Sequence, residues 1–363
     1  MKIRGNPLHP LNLCSIGKQL ELLKPNMKPL LLLIGFILLT GCSPKKDIQE
    51  TLKNKFDVLI ISKDLSIQPV NIEENHLKEI LILLHYNFAD DKIKEHFSMT
   101  DDQYKSAIND LYGNGLIKKT PEDKFVPSCM VINLDDGNEL KKTADSLGRE
   151  MSLIGIDRLD KIKEAYSKIP AFKNIPFGDV SLFMIGNVVF NYFQMPFIEE
   201  QFLRAEAPRR GENLYYLALI ENDSKNGAEP FGIFVNRFQN HGNYTAAYYG
   251  NGHAANDSIF TRTQINRLLK EQSPLFPFIG KSDQKKLKDL AAIITPDIIS
   301  YLERNRTLYV KLYLNSVYKD QTSFREWFVW YYQFIIAQTN RTLIEKSIIK
   351  FPAGTKSEFV LAR

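Results

Sequence analysis

The stretch Leu30–Cys42 (LLLLIGFILLTGC) decides how much of this chain is available to fold. Its apolar run, Leu30 to Leu39 with Gly35 inside it, falls well short of the ~20 residues a helix needs to cross a bilayer. A run of that size fits a core segment or the hydrophobic region of an export signal, and the flanks separate the two. Met27-Lys28-Pro29 sets a start methionine and a positive charge directly before it, and Leu39-Thr40-Gly41-Cys42 closes it with small residues and a cysteine. A buried strand would explain the apolar run and nothing on either side. Residues 27–41 therefore read as a signal peptide and drop out of the fold. Residues 1–26 hold Pro7, Pro10 and Pro25 and no amphipathic period. They read as an upstream extension of a true start at Met27, or else as a long leading region of the signal, and are set aside too.

The order of charge, apolar run, small residues and cysteine resembles the lipobox of bacterial lipoproteins. The resemblance covers residues 27–42 and implies cleavage before Cys42 and acylation of that cysteine with palmitate-type chains. Two or more acyl chains anchor a protein stably where one is marginal. Ser43-Pro44-Lys45-Lys46 follows with no acidic surface-export signal, so the expected location is the bacterial envelope, on the outer membrane facing the periplasm. Residues 42–55 read as a polar tether.

With Cys14 in the leader and Cys42 acylated, Cys129 stands alone in the mature chain. No intramolecular disulfide or cysteine-based metal cluster is expected, and Cys129 reads as a small buried residue. The charge needs the same subtraction. The whole chain carries +5, and Lys2, Arg4, Lys18, Lys24 and Lys28 against Glu21 give residues 1–41 +4, which leaves +1. Basicity therefore supplies no argument for nucleic acid.

The expected fold class is α+β. Leu77, Ile80, Leu81 and Leu84 recur at helical spacing, DDKIKEHF fits a short second helix, and Thr100 with Gln103 forms a capping box before a third. That helix buries Tyr104, Ala107, Ile108 and Leu111 and stops at Gly113-Asn114-Gly115. LIK and VPSCMVIN then read as a hairpin. AINDLYGNGLIKK resembles the third-helix-to-wing junction of winged-helix regulators, which implies a winged-helix-like domain over 56–138. Between residues 75 and 124, seven lysines stand against nine acids with no arginine, and Asp101 and Asp102 open the third helix. A DNA-binding regulator is accordingly the least favoured class, because phosphate contacts need cations.

Residues 139–363 read as a larger α+β domain, mainly helical. Within it Asp179–Gln194 is expected to be a buried central helix rather than a second membrane anchor. NLYYLALIE, FGIFVNRFQ and NYTAAYYG suggest an antiparallel β meander. Helices then return in TRTQINRLLKEQ, in SDQKKLKDLAAII and in FREWFVWYYQFIIAQTN, whose two aromatic stripes (Phe324, Trp327, Phe328, Tyr331 and Ile335; Trp330, Phe334 and Ala337) indicate burial between layers.

No nucleotide, metal or cofactor motif survives inspection. Gly250-Asn251-Gly252 through Ala255 lacks the βαβ context of a dinucleotide fingerprint, and Gly280-Lys281-Ser282 lacks the glycine-rich loop of a phosphate site. His76, His85 and His96 have no ligand spacing on one helix face. The catalytic candidates are His241, His253 and Asp257, a base and an orienting carboxylate without a nucleophile. Arg209 or Arg237 would complete a pocket for an envelope hydrolase. The leading expectation is a non-enzymatic lipoprotein, held to the membrane by Cys42 and binding a protein partner in the envelope. It requires no cofactor, no metal and no nucleic acid.

Overall fold

The computed structural model describes residues 47–64, 67–222, 231–251, 277–350 and 356–362. Cys42, His253, Asp257 and the helix expected over 261–272 lie outside them. The chain begins with α1 (Ile48–Leu52) and β1 (Lys55–Ile61), then three helices, α2 (Leu77–His85), α3 (Asp90–Phe97) and α4 (Asp101–Gly113). The helical spacing of α2 is borne out: Leu77, Ile80, Leu81 and Leu84 are all buried. Thr100 Oγ1 accepts from the Gln103 N–H, and Gln103 Oε1 accepts from the Thr100 N–H, so the capping box at α4 is closed. Gly115 follows at φ +66°, where a Cβ would stand 2.9 Å from the Arg209 carbonyl oxygen. Only glycine satisfies both demands.

β2 (Ile117–Lys119) and β3 (Phe125–Pro127) form the expected hairpin, but it is shorter than expected. Met130–Ile132 leaves it as β4 and joins a different sheet. α5 (Leu134–Asp157) then runs across position 138, followed by α6 (Leu159–Ser167). The expected central helix is π-type over Leu182–Val189, with the Phe190 N–H reaching back to the Ile185 carbonyl, and every residue of it is buried. A short helix at Met195–Phe197 runs into a second π-type turn, Ile198–Leu203. Then come β5 (Arg209–Arg210), β6 (Asn213–Leu214), β7 (Tyr216–Asn222), β8 (Phe234–His241), β9 (Tyr244–Asn251) and β10 (Phe278–Ile279). The chain closes with α7 (Lys281–Ala292), α8 (Thr295–Arg304), α9 (Arg306–Leu314), α10 (Phe324–Glu345) and β11 (Lys356–Ala362). The protein is mixed α and β with small sheets.

The three-strand meander does not form. β7 is the middle strand of a separate sheet of order β1-β7-β4, antiparallel to β1 and parallel to β4. β8 and β9 pair as a hairpin through His241-Gly242-Asn243-Tyr244, and β9 continues to β11 and β10. The cause lies in the sequence of β7, where Tyr216 to Glu221 are buried without a break. Such a strand needs cover on both faces, which a one-sided meander does not provide. Residues alternate across this sheet. Val131, Leu217 and Leu219 face a smaller core with α2 and α4; Met130, Ile132, Tyr216, Ala218 and Ile220 face the larger one. The segments 56–138 and 139–363 thus share a sheet.

The larger core is built around α10, which is buried without interruption from Glu326 to Asn340, as its two stripes implied. It packs on α5 at Gly148, where a Cβ would meet the Gln338 Cβ and the Ile335 carbonyl oxygen at 2.6 Å. Among the described residues no helix is long and apolar enough to cross a membrane.

Candidate functional site

A cavity of about 710 Å³ opens between the two main sheets. That volume lies within the range of small-ligand sites, roughly 300–1,000 Å³. β1 forms one wall and β8 the other, and the chain from Asn191 to Glu199 closes the floor. Among the described residues, β1 and β8 are each the last strand of their sheet.

The polar groups come from separate elements. Glu199, almost fully buried, accepts the Tyr216 hydroxyl at 2.9 Å and forms an ion pair with Lys63. Burial and the Glu199 charge both push the Tyr216 hydroxyl far above its ordinary value, which keeps it a neutral donor. On β8, Arg237 Nη1 donates to the Val58 carbonyl of β1 at 3.2 Å and so bridges the two walls. Deeper in, the Asn191 amide donates to Gln333 Oε1 at 3.2 Å and Asn236 donates to Asn187 Oδ1 at 2.8 Å. Tyr192 packs edge-on to Phe193 and tilted against Phe238, giving the cavity an aromatic side.

Two buried polar clusters lie elsewhere. Arg210 pairs with Glu326 at 2.8 Å, both fully buried. Arg210 also donates to the Gly115 carbonyl at 2.8 Å, and Glu326 accepts the Leu217 N–H at 3.0 Å. Burial pushes the Glu326 carboxyl up, while Arg210 and the Leu217 N–H draw it back down. This pair fastens the hairpin region to β7 and α10. The second cluster is His85, whose Nδ1 lies 2.7 Å from Gln321 Oε1 and whose Nε2 lies 3.5 Å from Asp136. It ties α2 to the start of α5 and to the loop before α10. Neither cluster borders the cavity.

Of the sequence candidates, His241 sits at the end of β8, with Tyr244 as its register partner. Arg237 lines the cavity, whereas Arg209 is exposed on β5. Sequence reasoning did not find Lys63, Glu199, Asn191 or Gln333. Their only common signal is that each is a polar residue beside an apolar run, a pattern shared by many surface residues. No group of three or more potential ligands is arranged for a metal ion among the described residues. Comparison with protein families, with characterised proteins and with solved structures finds no match for this chain.

Proposed function

We propose that this chain is a lipid-anchored binding component of the bacterial cell envelope, held by acylated Cys42 on the outer membrane facing the periplasm, with the cavity between β1 and β8 as its binding site. The observation that carries the binding half of this reading is that cavity. It combines an aromatic side with polar groups held by their own hydrogen bonds. The export signal and lipobox support the anchoring half. The three helices and hairpin from Leu77 to Pro127 support a winged-helix-like unit here, used for contact with protein. Its third helix opens on Asp101 and Asp102, and Lys94 is engaged by Asp91 and Asp101, an arrangement that repels phosphate.

The test is metabolic labelling with an alkyne-tagged fatty acid, followed by mass mapping of the mature N-terminus and by crosslinking in intact envelopes. The expected outcome is label on Cys42, loss of membrane association in Cys42→Ala, and a crosslinked partner. An intact peptide spanning Gly41-Cys42 in the membrane fraction would count against the anchor.

A further inference from the structure

Seven consecutive residues, Val58 to Asp64, border the cavity. Side chains on a strand alternate between faces, so a cavity that touches each residue in turn meets the strand's edge rather than either face. The direction of the backbone groups on that edge follows from two hydrogen bonds. Arg237 Nη1 donates to the Val58 carbonyl, so Val58 points its own backbone groups away from β7. Beyond β1, the Leu217 N–H donates to Glu326 Oε1, so Leu217 points its backbone groups away from β1. Leu217 is the register partner of Ile60, and Leu219 that of Val58. Directly opposed residues in an antiparallel pair exchange both hydrogen bonds or neither. Both pairs are therefore of the non-bonded kind, and Ile60 turns its N–H and C=O into the cavity beside those of Val58.

We propose that this edge captures an extended polypeptide segment by strand addition, with Ile60, and Val58 once Arg237 releases it, exchanging backbone hydrogen bonds with alternate residues of the guest. The proposal rests on the cavity being a binding site and names what it binds. An open strand edge is a template for another chain, and main-chain bonds supply affinity in this mode while side pockets supply selectivity. Among the described residues the lining is close to neutral, with four carboxylates against three cations, and Lys63 and Glu199 already joined. It therefore offers a polyanion no cationic cluster. It offers an uncharged extended peptide main-chain bonds along β1 and apolar walls from Tyr192, Phe193 and Phe238. Four residues of β1 present about 13 Å of edge, enough for a short guest strand.

The test selects random ten-residue peptides on the full chain in detergent. The strongest binder is then titrated with and without N-methylation of alternate amides, in both frames, against wild type and Ile60→Pro. Proline at position 60 removes an N–H that β7 does not use, and edge strands tolerate it. Binding is expected to weaken by about tenfold or more in one methylation frame and in Ile60→Pro, as loss of one or two backbone hydrogen bonds dictates. A selection that enriches nothing overturns the proposal, as do binders indifferent to methylation in both frames. A dimer of the chain that Ile60→Pro dissolves also overturns it, by making a second copy the occupant. If Ile60→Pro does not fold, the methylated peptides decide alone. Failure of the anchor reading would show separately as unacylated Cys42 and would leave these titrations unchanged.

Discussion

Cys129 is enclosed on every side, and burial pushes its thiol up to about 12. The thiolate is the reactive form, so iodoacetamide near neutral pH is expected to spare Cys129 in the native protein and alkylate it in denaturant. Mass mapping of the peptide that contains it reads the difference. Arg210 and Glu326 make a sharper case. Arg210→Ala strands a buried carboxylate and is expected to cost about 3–5 kcal/mol in a urea titration, whereas the joint change Arg210→Met with Glu326→Leu should cost far less. The pH dependence of Arg210→Ala has a definite sign. Burial already raises this carboxyl in the folded state, and removing Arg210 takes away its main opposing influence. The folded variant then binds its proton more tightly than the unfolded chain, so its stability declines as pH rises from the ordinary carboxylate value through the raised one. The deficit relative to wild type should therefore be smallest in acid and reach its full size above the raised value.

Elements with a strong local period were legible in the sequence, and those defined by distant partners were not. The capping box of α4, the buried face of α2 and the double stripe of α10 each depend on residues a few positions apart, so local reading sufficed. β7 was read as a strand but placed in the wrong sheet, because its partners lie in β1 and β4, far back in the chain. The cavity escaped for the same reason: Lys63 and Glu199 meet only once that sheet exists. The histidine cluster was read from proximity in sequence, and two of its members, His253 and Asp257, lie outside the described residues. The polar groups of the cavity come from five separate regions of the chain, around Lys63, Asn191 to Glu199, Tyr216, Arg237 and Gln333. Two expectations belong to this scale. Gly148→Ala drives a methyl group into Gln338 and the Ile335 carbonyl, and the overpacking should cost about 1–3 kcal/mol in thermal or urea unfolding. Along β1, amide exchange followed by NMR should find Ile60 fast and Leu59, which faces Ala218 of β7, slow. Equal protection at both positions would contradict the strand phase derived from Arg237 and Glu326.

At the level of the whole molecule, the three helices and hairpin from Leu77 to Pro127 carry a prediction about nucleic acid. A fluorescence-anisotropy titration with mixed-sequence duplex near physiological salt is expected to show no binding. Sub-micromolar, salt-sensitive binding would count against both that prediction and the proposed envelope location. The sheet shared by the two halves bears on how the chain comes to be folded at all. Asp57 on β1 and Asn222 on β7 touch across a separation of 165 residues. Closing a loop of that length costs about 4–5 kcal/mol of chain entropy, beyond the constant for any loop, before one strand contact repays it. Synthesis at roughly 5–20 residues per second places β7 some ten to thirty seconds behind β1. Throughout that interval β1 lacks β7, its partner in the sheet, and the cover available to it is the smaller core of α2 and α4, which Phe56 joins and against which Val58 and Ile60 pack. In a newly made chain the helices that follow β1 are thus what shields one face of that strand until β7 arrives.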